Sequence, residues 1–474
     1  MASKYAGNTD NKFTKLSNEL LGTYNAWDIW HTGALYEPLR QQLAETRQLE
    51  FYDREVTPTL RAVANMQRRG LLRDQTALTA LRRRVRAEIR EVVAFLEHVT
   101  GNAEFNPNSP AQIAKLLYTQ LGLRPPKRTA VKGTPSVDKE SLVGLLRNLR
   151  KRDEPARPLI LALMHYSKIS TIDERYLGLE ADSSGVVRPQ VKTAKVKTLR
   201  FAYQNPPMQQ FPAECRHVIV ARPGCVLLAV DYSQLEARLQ AYLSNDRPSI
   251  RVLEAGGDLH AANAADLFEG TTLTTVTPEQ RYYAKSFLYR ITYGSQGSDK
   301  EKVFCICDQW GCAAQAPPIL ELTRASKLAA EGRWFARHPA VERFQRGLLR
   351  QIRQHHYYDH PITSRRYFLT QWGSEVEREI KNEVNQRGAA LLMNRAMVAL
   401  DREFQARILL QMHDEFILEV AEQDLVMWAT IVMEVMERPV AELGGVKFPT
   451  EAKWGYNWGP QTATNPDGLR KLDW

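Results

Sequence analysis

The sequence predicts an α+β protein whose two strand regions lie far apart along the chain. The first is the apolar run 225–230, which is typical of a buried strand and is followed by the acid Asp231. The second is a pair of apolar runs, 408–412 and 416–420, on either side of the polar triplet His413-Asp414-Glu415. This pattern predicts a β-hairpin with acids at its tip. Most of the remaining chain has helical spacing of apolar residues.

The composition excludes several classes of protein. The chain has 474 residues, 25% charged and 43% hydrophobic, which is the balance of a folded protein with two to four structural units. No apolar run is long enough to span a membrane, and the polar start of the chain argues against a secretory signal. Five cysteines indicate a reducing compartment rather than a disulfide framework. We expect a cytoplasmic protein.

The charge balance points towards a polyanionic partner. Lysine and arginine number 64 against 54 acids, a net charge of +10. Between Arg61 and Arg90 there are nine arginines and two acids. Leucine, valine and isoleucine recur there every three or four residues, which predicts a helix with one buried stripe and an arginine-rich opposite face. A solvated face is the alternative, but like charges at this spacing repel each other and favour an external anion.

The segment 50–170 is predicted to consist of helices joined by basic loops. Ser109 and Pro110 predict the N-cap and first residue of a helix over 111–121. A basic loop follows at 127–134, and another capped helix is predicted to begin near Ser136.

Asp231 and Asp414 each end a predicted buried strand, where an unpaired carboxylate is costly. Two carboxylates from separate strands can hold a pair of divalent metals about 4 Å apart. Mg²⁺ suits such a site because it prefers oxygen ligands and shares its coordination shell with phosphates. Two structural alternatives stay open: Asp231 capping the next helix, and Asp414 forming the turn.

A basic and aromatic face is predicted on the helix that follows the first acid. Arg281, Lys285, Tyr289 and Tyr293 recur every four residues, so their side chains point broadly the same way. Two cations followed by two aromatics can hold a triphosphate and stack on a base. The alternative is an exposed basic helix end whose tyrosines belong to the core.

Three motifs together resemble those of family A DNA polymerases, the bacterial DNA polymerase I family. Asp-Tyr-Ser-Gln-Leu-Glu-Ala-Arg, which begins at Asp231, resembles the first palm motif. Residues 281–294 resemble the fingers helix, and His413-Asp414-Glu415 resembles the third motif. The order and separations of the three motifs also match the family.

The resemblance covers the chain from about residue 50 to its end. Residues 198–200 and 206–212 resemble the primer-terminus segment, although Leu199 and Gln210 replace its usual glycine and asparagine. Asp258-Leu259-His260 resembles the Asp-x-His that contacts phosphate. The remaining matches are the helix with Arg378, Asn382 and Gln386, similar to the template-contacting helix, and segments 105–110 and 127–133, similar to the thumb.

The resemblance implies a right-hand polymerase fold with an antiparallel-sheet palm, helical fingers and a helical thumb. The implied boundaries are an exonuclease remnant at 1–48, mostly thumb at 49–170, palm at 171–246, fingers at 247–363 and palm again at 364–474. It implies a DNA-directed DNA polymerase, monomeric, that binds primer-template DNA and dNTPs and uses two Mg²⁺ ions, which Mn²⁺ can replace.

The same resemblance assigns roles to residues. Asp231 and Asp414 would hold the metals with the carbonyl of Tyr232, and Lys285 would protonate the leaving pyrophosphate. The implied dNTP-binding residues are Arg281, Lys285, Tyr289, Tyr293, Gln234, Glu236 and His260. The implied DNA-binding residues are Arg200, Gln209, Arg378, Asn382, Gln386, His413, Lys127, Arg128 and Lys132.

Two of these residues bear on substrate choice. Glu236 would clash with a ribose 2′-hydroxyl and be fixed by a hydrogen bond from Tyr293, whereas related single-subunit RNA polymerases usually have glycine at this place. Glu236 therefore favours DNA synthesis over the alternative of an RNA polymerase. Tyr289 resembles the tyrosine of phage-type enzymes and predicts poor discrimination against dideoxynucleotides. A non-catalytic DNA-binding subunit is the third hypothesis, which the intact acids and cations disfavour.

Two features depart from the family. Tyr24 to Asp28 and the residues that follow resemble the last motif of its 3′–5′ exonuclease, but only 23 residues precede them. We therefore expect no proofreading; an ordinary helix with a chance Tyr-x-x-x-Asp is the alternative. Cys305, Cys307 and Cys312 lack an evident fourth zinc ligand, so we expect buried free thiols.

Overall fold

The computed structural model describes residues 16–129, 133–149, 151–292, 306–307, 312–313, 324–367 and 373–473. Within these ranges it is a mixed helix and sheet structure, as predicted. No helix in them is both long and apolar enough to cross a membrane.

The N-terminal third is helical. Its elements are α1 (Asn18–Glu45), short helical segments at Leu49–Phe51 and Tyr52–Val56, α2 (Thr57–Arg69), β1 (Leu71–Arg73), α3 (Gln75–Thr100), α4 (Pro110–Ala114) with a continuation at Lys115–Gln120, α5 (Lys139–Asn148), a 3₁₀ segment at Lys151–Ala156 and α6 (Arg157–Arg175). Helices α3 and α6 pack against each other, Arg83, Arg86 and Arg90 of α3 stay exposed, and Arg82 is half-buried. Arg86 pairs with Asp173 of α6 over 3.2 Å. No residue of α1 is buried.

Gly70 makes the sharp turn between α2 and β1. Its φ of 62° lies in the left-handed region, which favours glycine. A Cβ at this position would lie 2.6 Å from Cγ1 of Val186, which belongs to the neighbouring strand. The turn therefore allows β1 to join a small three-stranded antiparallel sheet with two strands from later in the chain.

Two small sheets and the first strand of the central sheet follow. The elements are β2 (Val186–Val187), β3 (Gln190–Lys192), β4 (Ala202–Gln204), 3₁₀ segments at Met208–Gln210 and Ala213–Val218, β5 (Ile219–Val220) and β6 (Cys225–Tyr232). Strands β3 and β4 form an antiparallel hairpin whose loop contains residues 193–201. Strand β6 is almost wholly buried, because strands flank it on both sides and helices cover the sheet.

A second helical region follows β6. It comprises α7 (Leu235–Ser244), α8 (Arg247–Glu254), α9 (Leu259–Leu267), α10 (Pro278–Thr292), the short pair β7 (Ile306–Cys307) and β8 (Cys312–Ala313), α11 (Arg324–Arg337) and α12 (Pro339–His355). Helices α9, α10 and α11 share a hydrophobic core of their own, in which Phe287 packs edge-on against Trp334.

The C-terminal part completes the sheet. It contains β9 (Tyr357–Asp359), β10 (Arg365–Tyr367), α13 (Ser374–Glu403), β11 (Ile408–Met412), β12 (Glu415–Ala421), a 3₁₀ segment at Glu422–Asp424, α14 (Leu425–Met436), another at Ala441–Leu443, β13 (Thr450–Gly455) and β14 (Arg470–Lys471). The sheet order is β11-β12-β6-β13-β14, and all four neighbouring pairs are antiparallel. One core joins this sheet to α13, α14 and the N-terminal helices.

The predicted elements are present with shifted boundaries. Strand β6 extends through Asp231 to Tyr232, and β12 begins at Glu415, so the hairpin tip is only His413 and Asp414. The helix predicted near Ser136 begins at Lys139 instead. Asp138, whose carboxylate accepts the N–H of Ser141, is its N-cap.

Candidate active site

The two predicted acids lie next to each other at one end of the central sheet. The N–H of Tyr232 donates to the carbonyl of Asp414 over 3.1 Å, which joins the end of β6 to the hairpin tip. Asp231 lies directly opposite Glu415 on one neighbouring strand and Glu451 on the other. Directly paired residues of antiparallel strands share a face of the sheet, so a row of acids crosses three strands. The cap of the following helix is Gln234, not Asp231.

Burial dominates the electrostatics of these acids. It raises the pKa of Asp414 to about 7; Arg200 opposes the rise, while Glu236 and Asp231 add to it. Burial likewise raises the pKa of Asp231, and it raises that of Glu415 to about 7 with a further contribution from Asp231. Negative charge on this group of acids is therefore unfavourable unless a cation compensates it.

The acids fit a divalent metal such as Mg²⁺. Oδ1 of Asp414 is buried and has no hydrogen-bond partner within the described ranges. Hard cations prefer carboxylate oxygens. Among the described residues no group of three or more His, Cys, Asp or Glu side chains converges as a metal cage. A few carboxylates can hold a divalent cation that shares its coordination shell with water and phosphates.

Glu236 lies in the first turn of α7 and is 8% exposed. Its carboxylate accepts a hydrogen bond from the guanidinium of Arg200. A nitrogen of the same guanidinium lies 3.8 Å from Oδ1 of Asp414. Arg200, predicted to contact DNA, therefore links the predicted sugar-selecting residue to a predicted metal ligand. Tyr293, the predicted partner of Glu236, lies outside the described residues.

The predicted triphosphate residues gather where α9 and α10 pack together. Asp258 caps α9, accepts the N–H of His260 over 2.9 Å, and accepts Nε of Arg281 over 2.6 Å. His260 is buried, and burial together with the charges of Lys285 and Arg281 lowers its pKa to about 4. Its imidazole is therefore neutral at pH 7, and its Nδ1 has no partner among the described residues.

The aromatic part of the same helix is only partly described. Tyr289 lies within α10, but its side chain, like all of Tyr293, lies outside the described residues. Gln234 adopts a left-handed conformation with φ 55°, and its Oε1 is buried without a described partner.

Hydrogen bonds connect the residues that are predicted to contact the primer to the rest of the fold. Oε1 of Gln209 accepts the N–H of Tyr203 over 3.0 Å, and the hydroxyl of Tyr203 donates to the carbonyl of Gln411 over 2.6 Å. His413 has a positive φ of 54°, and burial lowers its pKa. Nε2 of Gln411 donates to the carbonyl of His413 over 2.8 Å. The primer-terminus segment is thereby joined to the hairpin that carries Asp414.

The remaining predicted DNA contacts are distributed over two places. On α13, Asn382 and Gln386 are half-buried, Oδ1 of Asn382 has no described partner, and the side chain of Arg378 lies outside the described residues. In the basic loop, Lys127 is paired with Asp138 and Glu140 at 2.5 and 2.7 Å. Arg128 donates to the carbonyl of Gly133 over 2.9 Å, and Lys132 lies outside the described residues. The charge of Lys127 is thus already compensated within the chain.

The cysteines of the second helical region are described only in part. Cys307 and Cys312 are directly opposite each other on β7 and β8, and Cys305 lies outside the described residues.

Sequence reasoning missed two buried ionic clusters. One joins Glu383, Arg366 and Arg387, and the other places His338 between Asp246 and Asp266. The first cluster could have been found from the sequence, because Glu379, Glu383 and Arg387 recur every four residues on one face of α13. The second had none, because its three members lie on separate elements.

The five-stranded antiparallel sheet with its paired acids, together with helix α10 that carries Arg281 and Lys285, has the arrangement expected of a right-hand polymerase fold. The family model for DNA polymerase family A matches residues 75–460, so the chain belongs to DNA polymerase family A and has its right-hand fold.

Individual relatives with similar sequences agree with this family assignment. DNA polymerase I of Pseudomonas aeruginosa is 30% identical over 469 residues, covering 94% of this chain and 48% of the relative. The thermostable DNA polymerase I of Thermus thermophilus is 29% identical over 423 residues, covering 85% and 48%. The chain thus spans about half the length of these curated relatives. Among solved structures, the polymerase domain of Pol1 from M. smegmatis, in complex with DNA primer-template and dNTP, matches with a TM-score of 0.75 and 25% identity, covering 89% of this chain and 73% of that chain.

Proposed function

We propose that the chain is a template-directed DNA polymerase that adds dNTPs to a primer 3′-hydroxyl and releases pyrophosphate. The observation that carries the proposal is the buried pair Asp231 and Asp414, with an orphaned carboxylate oxygen and a raised pKa at Asp414. Membership of family A and the similarity to a polymerase domain bound to primer-template and dNTP support it.

Asp231 and Asp414 would hold two Mg²⁺ ions, with the Tyr232 carbonyl as a further ligand; Mn²⁺ can replace them. When bound, the metals lower the pKa of the attacking hydroxyl and neutralise charge on the leaving phosphates. Proton transfer would fall to Nζ of Lys285, a general-acid role that typically contributes about 10²- to 10⁴-fold.

The triphosphate would be bound by Arg281, Lys285 and His260. Binding requires Arg281 to exchange its ion pair with Asp258 for the phosphates. Neutral His260 would contribute a hydrogen bond rather than a charge, since its pKa is about 4. Glu236 would select deoxyribonucleotides, and the exposed arginines of α3 would bind the duplex backbone, a contact independent of base sequence.

Primer extension with Mg²⁺ tests the proposal. We expect dNTP incorporation by the wild type and a loss of at least about 10²-fold in D414N, since one preorganised electrostatic group is commonly worth that much. E422Q is the matched control, because Glu422 is exposed and lies beyond the opposite end of β12. Incorporation unaffected by D414N contradicts the mechanism. Use of rNTPs alone favours an RNA polymerase, and DNA binding without any incorporation favours an accessory subunit.

A further inference from the structure

The loop that carries Arg200 has no regular structure to hold it in place. Residues 193–201 connect β3 and β4, and Leu199 within them adopts a positive φ of 67°. Yet the end of this loop must place the Arg200 guanidinium between Glu236 and Asp414. The buried Phe201, whose carbonyl accepts a hydrogen bond from Gln209, holds the end of the loop, and side chains from outside the loop hold its earlier part.

Helix α13 supplies two attachments for the loop. Nη1 of Arg387 donates to the carbonyl of Lys197 over 3.3 Å. Nζ of Lys197 in turn lies 2.8 Å from a carboxylate oxygen of Glu379. Arg387 and Glu379 are eight residues apart, so both lie on one face of α13. The second attachment is the weaker, because the side chain of Lys197 is 61% exposed.

Arg387 is itself held rigidly. It is only 5% exposed, and its guanidinium donates to the hydroxyls of Thr363 at 3.0 Å and Ser364 at 3.3 Å. Its counter-charge is Glu383, 1% exposed, with an oxygen 3.7 Å away. Arg366 donates to the same carboxylate over 2.6 Å. A planar guanidinium that donates to several fixed acceptors has little conformational freedom. The Lys197 carbonyl is therefore held at a defined place.

We infer that Arg387 is a positioning residue for nucleotide selection: by holding the Lys197 carbonyl it fixes the loop that presents Arg200 to Glu236. This inference rests on the proposed polymerase function and on the sugar-selecting role of Glu236. Arg387 itself touches neither DNA nor nucleotide in this scheme. It acts through Arg200, three residues beyond the carbonyl that it holds.

The test measures kcat/KM for a dNTP and for the matching rNTP, and takes their ratio. We expect R387M to lower this ratio roughly three- to tenfold, the range that corresponds to one lost hydrogen bond. The matched control is R395M, which removes another guanidinium of α13, one paired with Glu55 and Glu442. R395M is expected to leave the ratio unchanged.

A double-mutant cycle separates positioning from a general loss of structure. In an E236A background, R387M should not lower the ratio further, because the residue through which it acts is gone. R387K, which keeps the charge beside Glu383 but loses the planar fork, should shift the ratio in the same direction by less. It replaces R387M in the cycle if the methionine variant does not fold.

Three results overturn the inference: an unchanged ratio in folded R387M or R387K, an equal change in R395M, or a further loss in the E236A background. All three presuppose that the wild type extends primers with dNTPs. If the wild type does not extend primers, the proposed function fails. If the wild type extends primers and one of the three results is found, only the inference about Arg387 fails.

Discussion

Glu236 is a buried carboxylate, and the proposed site does not use it as a metal ligand. Its charge is compensated by Arg200, and its place in the first turn of α7 puts it near the positive end of the helix dipole. Both effects hold the carboxylate in a fixed position. Such a group can exclude a 2′-hydroxyl by bulk and by the cost of displacing it.

We expect E236A to raise rNTP incorporation relative to dNTP by roughly one to two orders of magnitude, since a pocket that has lost its excluding group rejects an added hydroxyl weakly. The measurement is kcat/KM for both nucleotides on one primer-template. E254A serves as control, because Glu254 is an exposed glutamate at the end of the next helix. Equal discrimination in E236A and wild type would contradict the assigned role.

The paired acids could be predicted from the sequence because each interrupts an apolar run, and the periodicity of a strand reveals where it ends. The pairing of Arg200 with Glu236 could not be predicted, because the two residues are 36 positions apart and one belongs to an irregular loop. The consequence of Tyr289 for dideoxynucleotides rests on resemblance alone and stays a prediction.

At the scale of elements, an ionic cluster joins three helices of the second helical region. The imidazole of His338, 2% exposed, donates to Asp246 over 2.7 Å and to Asp266 over 3.0 Å. Arg337 also pairs with Asp266, and the ring of Trp334 stacks on the imidazole with centroids 4.2 Å apart. Asp246 caps α8, Asp266 belongs to α9, and His338 caps α12, so one side chain fixes their mutual placement.

The two carboxylates determine the protonation of this cluster. Burial lowers the pKa of His338, but its hydrogen bonds to Asp246 and Asp266 outweigh burial and raise the pKa above the ordinary 6.5. A group with a raised folded-state pKa contributes stability fully below its unfolded pKa, and this contribution is lost as pH rises through the folded value. The cluster should therefore stabilise the protein most at pH 6 and progressively less above it.

We expect H338Q to lower the free energy of unfolding by about 3 kcal/mol at pH 6, the lower end of the cost of breaking a buried ion pair. The difference from wild type should shrink at pH 9. Denaturant unfolding at both pH values measures it, with the exposed H98Q as control. A difference that is the same at both pH values would show that His338 acts by packing alone.

Element boundaries were predicted less well than element types, for a local reason. Both Ser136 and Asp138 can cap a helix, and the choice of Asp138 coincides with its ion pair to Lys127 across the loop. Helix α3 extends to Thr100, well beyond its predicted stripe, where Gly101 in the left-handed conformation ends it.

At the scale of the whole molecule, the net charge of +10 has a measurable consequence. Each phosphate contact releases counterions, so the slope of log affinity against log salt reports the number of contacts. We expect R83Q/R90Q, which neutralises two exposed residues of α3, to reduce the slope for primer-template binding by about 1.8. The measurement is fluorescence anisotropy across a salt series.

The control for this prediction is R343Q/R350Q, which removes two exposed arginines from α12 and leaves the same net charge. If DNA follows α3, only the first double variant changes the slope. Equal slopes for both double variants would mean that total charge, and not the arginine face of α3, governs binding.

Helix α1 stands apart from the cooperative core. It is 28 residues long without one buried residue, and it exposes Trp27, Trp30 and Tyr36. Isolated helices gain most of their stability in proteins from packing, which α1 lacks over most of its length. Its backbone should therefore open independently of the sheet, so that its amide hydrogens exchange with solvent long before those of β6. We therefore expect two levels of local stability, with the central sheet in the slow-exchanging part.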